Sequence, residues 1–220
     1  VALGDGTVKP RLVIFDLDGT LLDTSPGIFA TAKYTMRRLG LSPDVPEEQM
    51  RKFIGPPIAQ CFKVVYDLPD QYLDDALAIY KKRYVSDGQY QALVYPGMQM
   101  VLKTLKERGY LLAVGTLKNE STAVNMMRHY ALAPYFVSIH GDFSTLAGGR
   151  TKADVLRLVL SDTHVKPEEA VLVGDTTHDQ NGANVAGVGF VPVTYGFGFS
   201  RISAPQGSVA SPQELLTRFP

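Results

Sequence analysis

Short apolar runs separated by amphipathic stretches constrain this chain more than any other feature. Leu12 to Phe15, Tyr110 to Gly115, Phe136 to His140, Ala170 to Gly174 and Gly189 to Val193 each read as a buried strand. A brief, uninterrupted apolar run has no polar face to offer solvent, so it suits the interior of a sheet. Between these runs, Met98 to Arg108 places Met98, Val101, Leu102 and Leu105 on one helical face. Ser121 to Tyr130 and Lys152 to Leu160 repeat the pattern. Strands alternating with helices imply a parallel sheet with helices on both sides. The expected fold class is α/β, a doubly wound parallel sheet forming a Rossmann-like core.

One interval breaks the alternation. From about Thr24 to Leu93 no strand is evident. Pro26 to Leu39 reads as a helix, with a proline early and Gly40 just past the end. Pro46 to Ile54, Ile58 to Tyr66 and Pro69 to Ser86 read as three more, punctuated by Pro43, Gly55-Pro56-Pro57 and Pro69. The expectation is an all-helical cap domain over residues 25–93, inserted between core segments 1–24 and 94–220. An insert directly after the first strand would overhang the carboxyl end of the sheet, where lids exclude water and select substrates. A static helical bundle is the plainer alternative.

The first strand runs straight into chemistry: Leu12-Val13-Ile14-Phe15-Asp16-Leu17-Asp18-Gly19-Thr20. Residues two apart on a strand share a side, so Asp16 and Asp18 can face one site just past its end. Ligands of open α/β sheets bind at the carboxyl ends of strands. Two carboxylates there repel unless a cation or a shared proton separates them. The run therefore suggests a metal site with one carboxylate free to react. The plainer reading is that Asp and Gly suit the turns that end strands. A second copy, Gly4-Asp5-Gly6-Thr7, lacks a preceding strand and is set aside.

Three further signals sit at similar places. Val114-Gly115-Thr116-Leu117-Lys118-Asn119 ends a strand with a hydroxyl and backbone N–H groups that suit a phosphate; a threonine there is also an ordinary N-cap. Gly148-Gly149-Arg150-Thr151-Lys152 opens a helix, and Lys152 either places a cation over the site or is simply solvated. Val171-Leu172-Val173-Gly174-Asp175-Thr176-Thr177-His178-Asp179, followed by Gly182-Ala183, repeats the strand-end acid and adds a second carboxylate four residues on.

Composition narrows the function classes. Lys plus Arg and Asp plus Glu are both 22, so net charge is zero and nothing favours nucleic acid or an anionic membrane. The lone cysteine, Cys61, forms no intrachain disulfide and reads as a small apolar filler; a cytoplasmic setting is expected. No basic segment precedes an apolar one at the N-terminus, so no signal peptide is expected, and no run approaches the ~20 residues of a membrane span.

Together, and in this order, the four motifs resemble those of the haloacid dehalogenase-like hydrolase superfamily. Asp16-x-Asp18-Gly19-Thr20 paired with Gly174-Asp175-x-x-x-Asp179-x-x-Gly182-Ala183 carries the resemblance. Within the superfamily the chain is similar to the phosphatase branch with a helical cap, phosphoglycolate phosphatase-like proteins in particular. Phe53-Ile54-Gly55-Pro56-Pro57 and Tyr95-Pro96-Gly97 also look like that branch. The resemblance implies a phosphoric monoester hydrolase acting on a small phosphorylated metabolite, as monomer or homodimer. It implies that Asp16 attacks phosphorus and that Asp18 serves as acid, then base. It implies Mg²⁺ held by Asp16, the Asp18 backbone carbonyl and Asp175, with Asp179 binding through water or bracing the site. Thr116, the Leu117 N–H and Lys152 would hold the phosphoryl oxygens. Leu117 departs from the pattern, since a small polar residue is usual there.

Several residues stay ambiguous. His178 is read as structural or solvated, Arg51 and Lys52 as solvated, and Phe53 and Phe62 as cap core. Lys118 either touches phosphate or caps the site. The alternative functions are a phosphosugar mutase, a 5'-nucleotidase or pyrophosphatase, and a catalytically silent phosphate-binding module. A metal-free dehalogenase is disfavoured by Asp18 and Asp175.

Overall fold

Strand β1 (Leu12–Phe15) is buried on both faces, which is why its sequence is continuously apolar rather than alternating. The computed structural model describes residues 9–143 and 149–220. The Gly4–Thr7 copy and Gly148 lie outside the described residues. β1 is followed by β2 (Leu22–Asp23), α1 (Ser25–Arg38), α2 (Glu47–Met50), α3 (Ile58–Tyr66), α4 (Leu73–Ser86) and β3 (Leu93–Val94). Then come α5 (Met98–Glu107), β4 (Leu111–Asn119), α6 (Glu120–His129), β5 (Ser138–Asp142), α7 (Lys152–Thr163), β6 (Ala170–Gly174), α8 (Thr177–Ala186), β7 (Gly189–Pro192) and α9 (Leu215–Arg218).

Five strands form one sheet in the order β5-β4-β1-β6-β7, and β2 pairs with β3 separately. β1 pairs in parallel with β4 on one side, Phe15 opposite Val114, and with β6 on the other, Phe15 opposite Val173. The outer pairs β4–β5 and β6–β7 are parallel as well. The chain fills one half of the sheet from β1 outward and then the other, so the switch point falls beside β1. That is where open α/β sheets bind ligands. One face of the sheet packs Leu12, Ile14 and Leu172 against Ala153, Leu156 and Val159 of α7 and Ala183 and Ala186 of α8. The α/β class with a parallel sheet and a helical insert is what the alternation implied.

Contacts divide the chain into two compact units, Val1–Leu22 with Val94–Pro220, and Asp23–Leu93. The second unit is almost wholly helical. Its core joins Met36, Met50, Phe53, Phe62, Val65, Ala76 and Tyr80. Cys61 is buried there with its thiol pushed up to about 11 by burial, the behaviour of a filler rather than a nucleophile.

Several boundaries differ from expectation. The helix expected over Pro46 to Ile54 stops at Met50 and continues as a 3₁₀ turn, Arg51–Phe53; Ile54 is extended and Gly55 has φ +105°. The helix expected from Pro69 starts as a 3₁₀ turn, Asp70–Tyr72, before α4. β4 runs on to Asn119 with an irregular register after Gly115. The third strand in sequence reading, Phe136 to His140, shifts to Ser138–Asp142, after a 3₁₀ turn at Ala133–Tyr135. β2 lies just before the strand-free interval and β3 enters it only at Leu93; neither was expected, since two residues are too few to show a period.

Candidate active site

Asp16 follows β1 directly, and its N–H donates to Val173 O at 2.9 Å, continuing the β1–β6 ladder by one residue. Asp175 follows β6 in the neighbouring strand. The two strand-end acids therefore flank the switch point. Asp179 joins them from the first turn of α8, and carboxylate oxygens of all three lie within 4.8 Å of one another. All three are buried.

Lys152 is the counter-charge. It opens α7 because Thr151 caps that helix, its side chain accepting from the Asp154 N–H while Asp154 bonds back to Thr151. Arg150 ties the segment before the cap to β5, its backbone N–H donating to Asp142 at 3.0 Å and its guanidinium to Gly141 O at 2.9 Å. The Lys152 ammonium then lies 2.6 Å from Asp16 Oδ1 and 2.7 Å from Asp179 Oδ1, with its side chain 4% exposed. Gly182 makes this approach possible: a Cβ there would stand 2.5 Å from the Lys152 stem.

The acids are braced individually. Asp179 Oδ2 accepts from the Thr176 N–H at 3.0 Å and hydroxyl at 2.6 Å in a capping box, so both of its oxygens are engaged. Asp175 Oδ2 accepts from the Phe197 N–H at 2.7 Å and the Gly198 N–H at 3.2 Å. Its other oxygen meets the Thr20 hydroxyl at a long 3.5 Å. Asp16 Oδ2 lies outside the Lys152 contact, so Asp16 and Asp175 offer the freer oxygens.

Burial pushes the Asp16 carboxyl up to about 7; the Lys152 ammonium opposes that rise, while Asp179 and Asp175 add to it. Asp175 is pushed up to about 6, chiefly by burial, against the Phe197 amide and with Asp179 adding. Burial alone would lower Lys152, yet Asp16 and Asp179 hold it above the ordinary lysine range. Burial drives the rise at Asp16 and the neighbouring carboxylates add to it, while Asp16 and Asp179 hold the proton on Lys152. Three buried carboxylates clustered together, two of them met by one ammonium, offer oxygen donors that fit a hard divalent cation.

Thr116 is buried at the end of the sheet portion of β4, and its hydroxyl oxygen accepts from the Lys118 N–H at 3.2 Å. That leaves its proton free to donate. The Leu117 side chain is exposed, so this position offers its backbone rather than its side chain. Asp18 is half-buried and is met by the Lys118 ammonium at 3.0 and 3.1 Å. His178, Arg51 and Lys52 are exposed. Sequence reasoning missed the Phe197 and Gly198 amides, and it named Thr20 in the first motif without giving it a contact to Asp175. The available signal was Gly196-Phe197-Gly198 after the last strand, a stretch able to present N–H groups to an anion.

Comparison with known proteins fits this geometry. Residues 13–193 match the family model described as haloacid dehalogenase-like hydrolase. The chain is 35% identical to the 5'-nucleotidase of Pseudomonas aeruginosa over 196 residues, covering 88% of this chain and 87% of that one. It is 32% identical to phosphoglycolate phosphatase 1 of the same organism over 202 residues, covering 89% and 73%. It is 34% identical to tyrosine-protein kinase PtkA of Mycobacterium tuberculosis over 86% of this chain, spanning 64% of that protein's length. The solved PtkA structure matches with a TM-score of 0.79, over 96% of this chain and 98% of that chain, at 30% identity. With residues 13–193 matched by the family model and a relative 35% identical over 88% of its length, this chain belongs to the haloacid dehalogenase-like hydrolase family.

Proposed function

We propose that this chain is a Mg²⁺-dependent phosphatase that hydrolyses a small phosphate monoester through a covalent intermediate on Asp16. The observation that carries this reading is Asp16 itself: a buried carboxylate at the switch point, held by Lys152 and flanked by Asp175. Asp16 and Asp175 would hold the ion, with Asp179 setting the position of Lys152; the ion would screen the carboxylates and the phosphoryl oxygens from one another.

Asp16 attacks phosphorus, forming the Asp16–phosphorus bond as the bond to the leaving oxygen breaks. Asp18 gives that oxygen its proton. It then takes a proton from a water that attacks phosphorus, freeing Asp16 and inorganic phosphate. Lys152, the Thr116 hydroxyl and the Leu117 N–H hold the phosphoryl oxygens through both steps, and each such donor contributes roughly 3–4 kcal/mol. Lys152 begins paired with Asp16, so its charge also holds the nucleophile in place.

The substrate proposed is a small metabolite ester such as phosphoglycolate. The 35% identity to a 5'-nucleotidase favours a nucleoside monophosphate as the second reading. The test is phosphate release from a panel of metabolite esters in Mg²⁺, with and without chelator. We expect one ester to dominate and chelator to stop turnover. Release from none of them, or full activity in metal-free chelator, overturns the proposal.

A further inference from the structure

None of these steps uses the Lys118 side chain, yet it is fixed more firmly than a surface lysine. Its Nζ lies 3.0 Å from Oδ1 and 3.1 Å from Oδ2 of Asp18. The lysine side chain is 10% exposed and the aspartate 23%. The backbone is pinned on both sides. The Lys118 N–H donates to Thr116, and the next residue, Asn119, caps α6 by accepting from the Thr122 N–H at 3.3 Å. A single hydrogen bond would leave the carboxylate free to turn about its last torsion, which is soft. An ammonium centred on both oxygens fixes the position of the group and its plane.

We propose that Lys118 is a positioning residue that holds the Asp18 carboxyl group in line with the leaving oxygen. This rests on the acid–base role given to Asp18 above. Proton transfer needs donor and acceptor within hydrogen-bond reach, so a carboxyl group that wanders loses rate without any loss of phosphate binding.

The leaving group separates positioning from mere support. The parameter kcat/KM reports events up to departure of the leaving group. An alkyl alcohol leaves poorly and needs a proton from Asp18; 4-nitrophenolate is stable and does not. The probes are 4-nitrophenyl phosphate and whichever of 2-phosphoglycolate and 5'-AMP the unmodified protein turns over. Lys118→Met should lower kcat/KM for the alkyl ester by about 10- to 100-fold, part of what a general acid contributes, and for the aryl ester by less than about 3-fold. Lys118→Arg, which keeps a cation with several donors, should recover most of the alkyl loss. Asp18→Asn should show the same selectivity, more strongly. Equal losses on both esters in Lys118→Met, with Asp18→Asn still selective, overturn the positioning role and leave the phosphatase reading standing. Equal losses in Asp18→Asn overturn the acid role itself. Should Lys118→Met not fold, Lys118→Gln gives the same comparison, and an unchanged Mg²⁺-induced rise in Tm shows that the metal site is intact.

Discussion

In the unit that carries the parallel sheet, Asp16, Lys152, Asp175 and Asp179 are all buried; in the unit from Asp23 to Leu93, no described charged residue is. The helical unit buries rings instead. Phe53 meets Phe62 edge-on at 5.2 Å, Phe62 meets Tyr80 at 5.9 Å, and Tyr80 stacks on Tyr84. Two of its buried threonines are satisfied within α1, Thr31 donating to Gly27 O and Thr35 to Thr31 O. The helical unit is held by ordinary burial of apolar surface. The sheet unit keeps like charges together out of water, an arrangement costly to stability and useful for chemistry. Substitutions should therefore act on different quantities in the two units.

The strongest test is Asp16→Asn. Turnover should fall by at least about 10⁴-fold, the scale seen when a nucleophile is removed. Tm should hold or rise, because one of three repelling carboxylates is gone. Phosphate release and thermal unfolding read both quantities. Retained activity, or a steep fall in Tm, would erase the contrast.

Phe62→Ala is the counterpart in the helical unit. Removing a fully buried ring should cost about 3–5 kcal/mol in denaturant unfolding. A cost below about 1 kcal/mol would mean that this core collapses around the gap. Next in size is a coupling between metal and pH. Asp16 and Asp175 have folded-state pKa values raised to about 7 and about 6, above the 3.8 of a free aspartate. The metal-free folded state thus binds protons more tightly than the unfolded chain, and these two groups lose stability as pH rises from about 4 to about 7. A divalent ion replaces those protons. The Mg²⁺-induced rise in Tm should be small at pH 5 and grow toward pH 7.5. A rise independent of pH would place the ion away from these carboxylates. The smallest effect is expected at Thr151→Ala, which removes the α7 cap and should cost about 1 kcal/mol. A larger loss, with turnover falling alongside it, would show that the cap also sets the position of Lys152.

Much of this was legible in the chain. β1 and β6 occupy the residues read as strands, and α3 the residues read as a helix, because hydrophobic period and proline punctuation are local signals. Asp16 and Asp175 stood out for the same reason: an apolar strand that ends in an acid is visible without a neighbour. The segment after β7 carried no such period. The amides that brace Asp175 therefore went unread, although they come from residues only 22 and 23 positions away.

Lys152 shows where local signals stop. At a helix start it reads like any solvated lysine. Only the packing of α7 against the sheet and α8 buries it against Asp16, 136 residues away, and Asp179. Lys118 and Asp18 are 100 residues apart and carry no shared pattern. Neighbours along the chain set most of the strands and helices and which acids stand at strand ends, so those were readable in the residues. The tertiary structure alone decided which acid faces which cation. Strand order and helix approach set those distances, and electrostatic energy depends on distance and burial rather than on position in the chain.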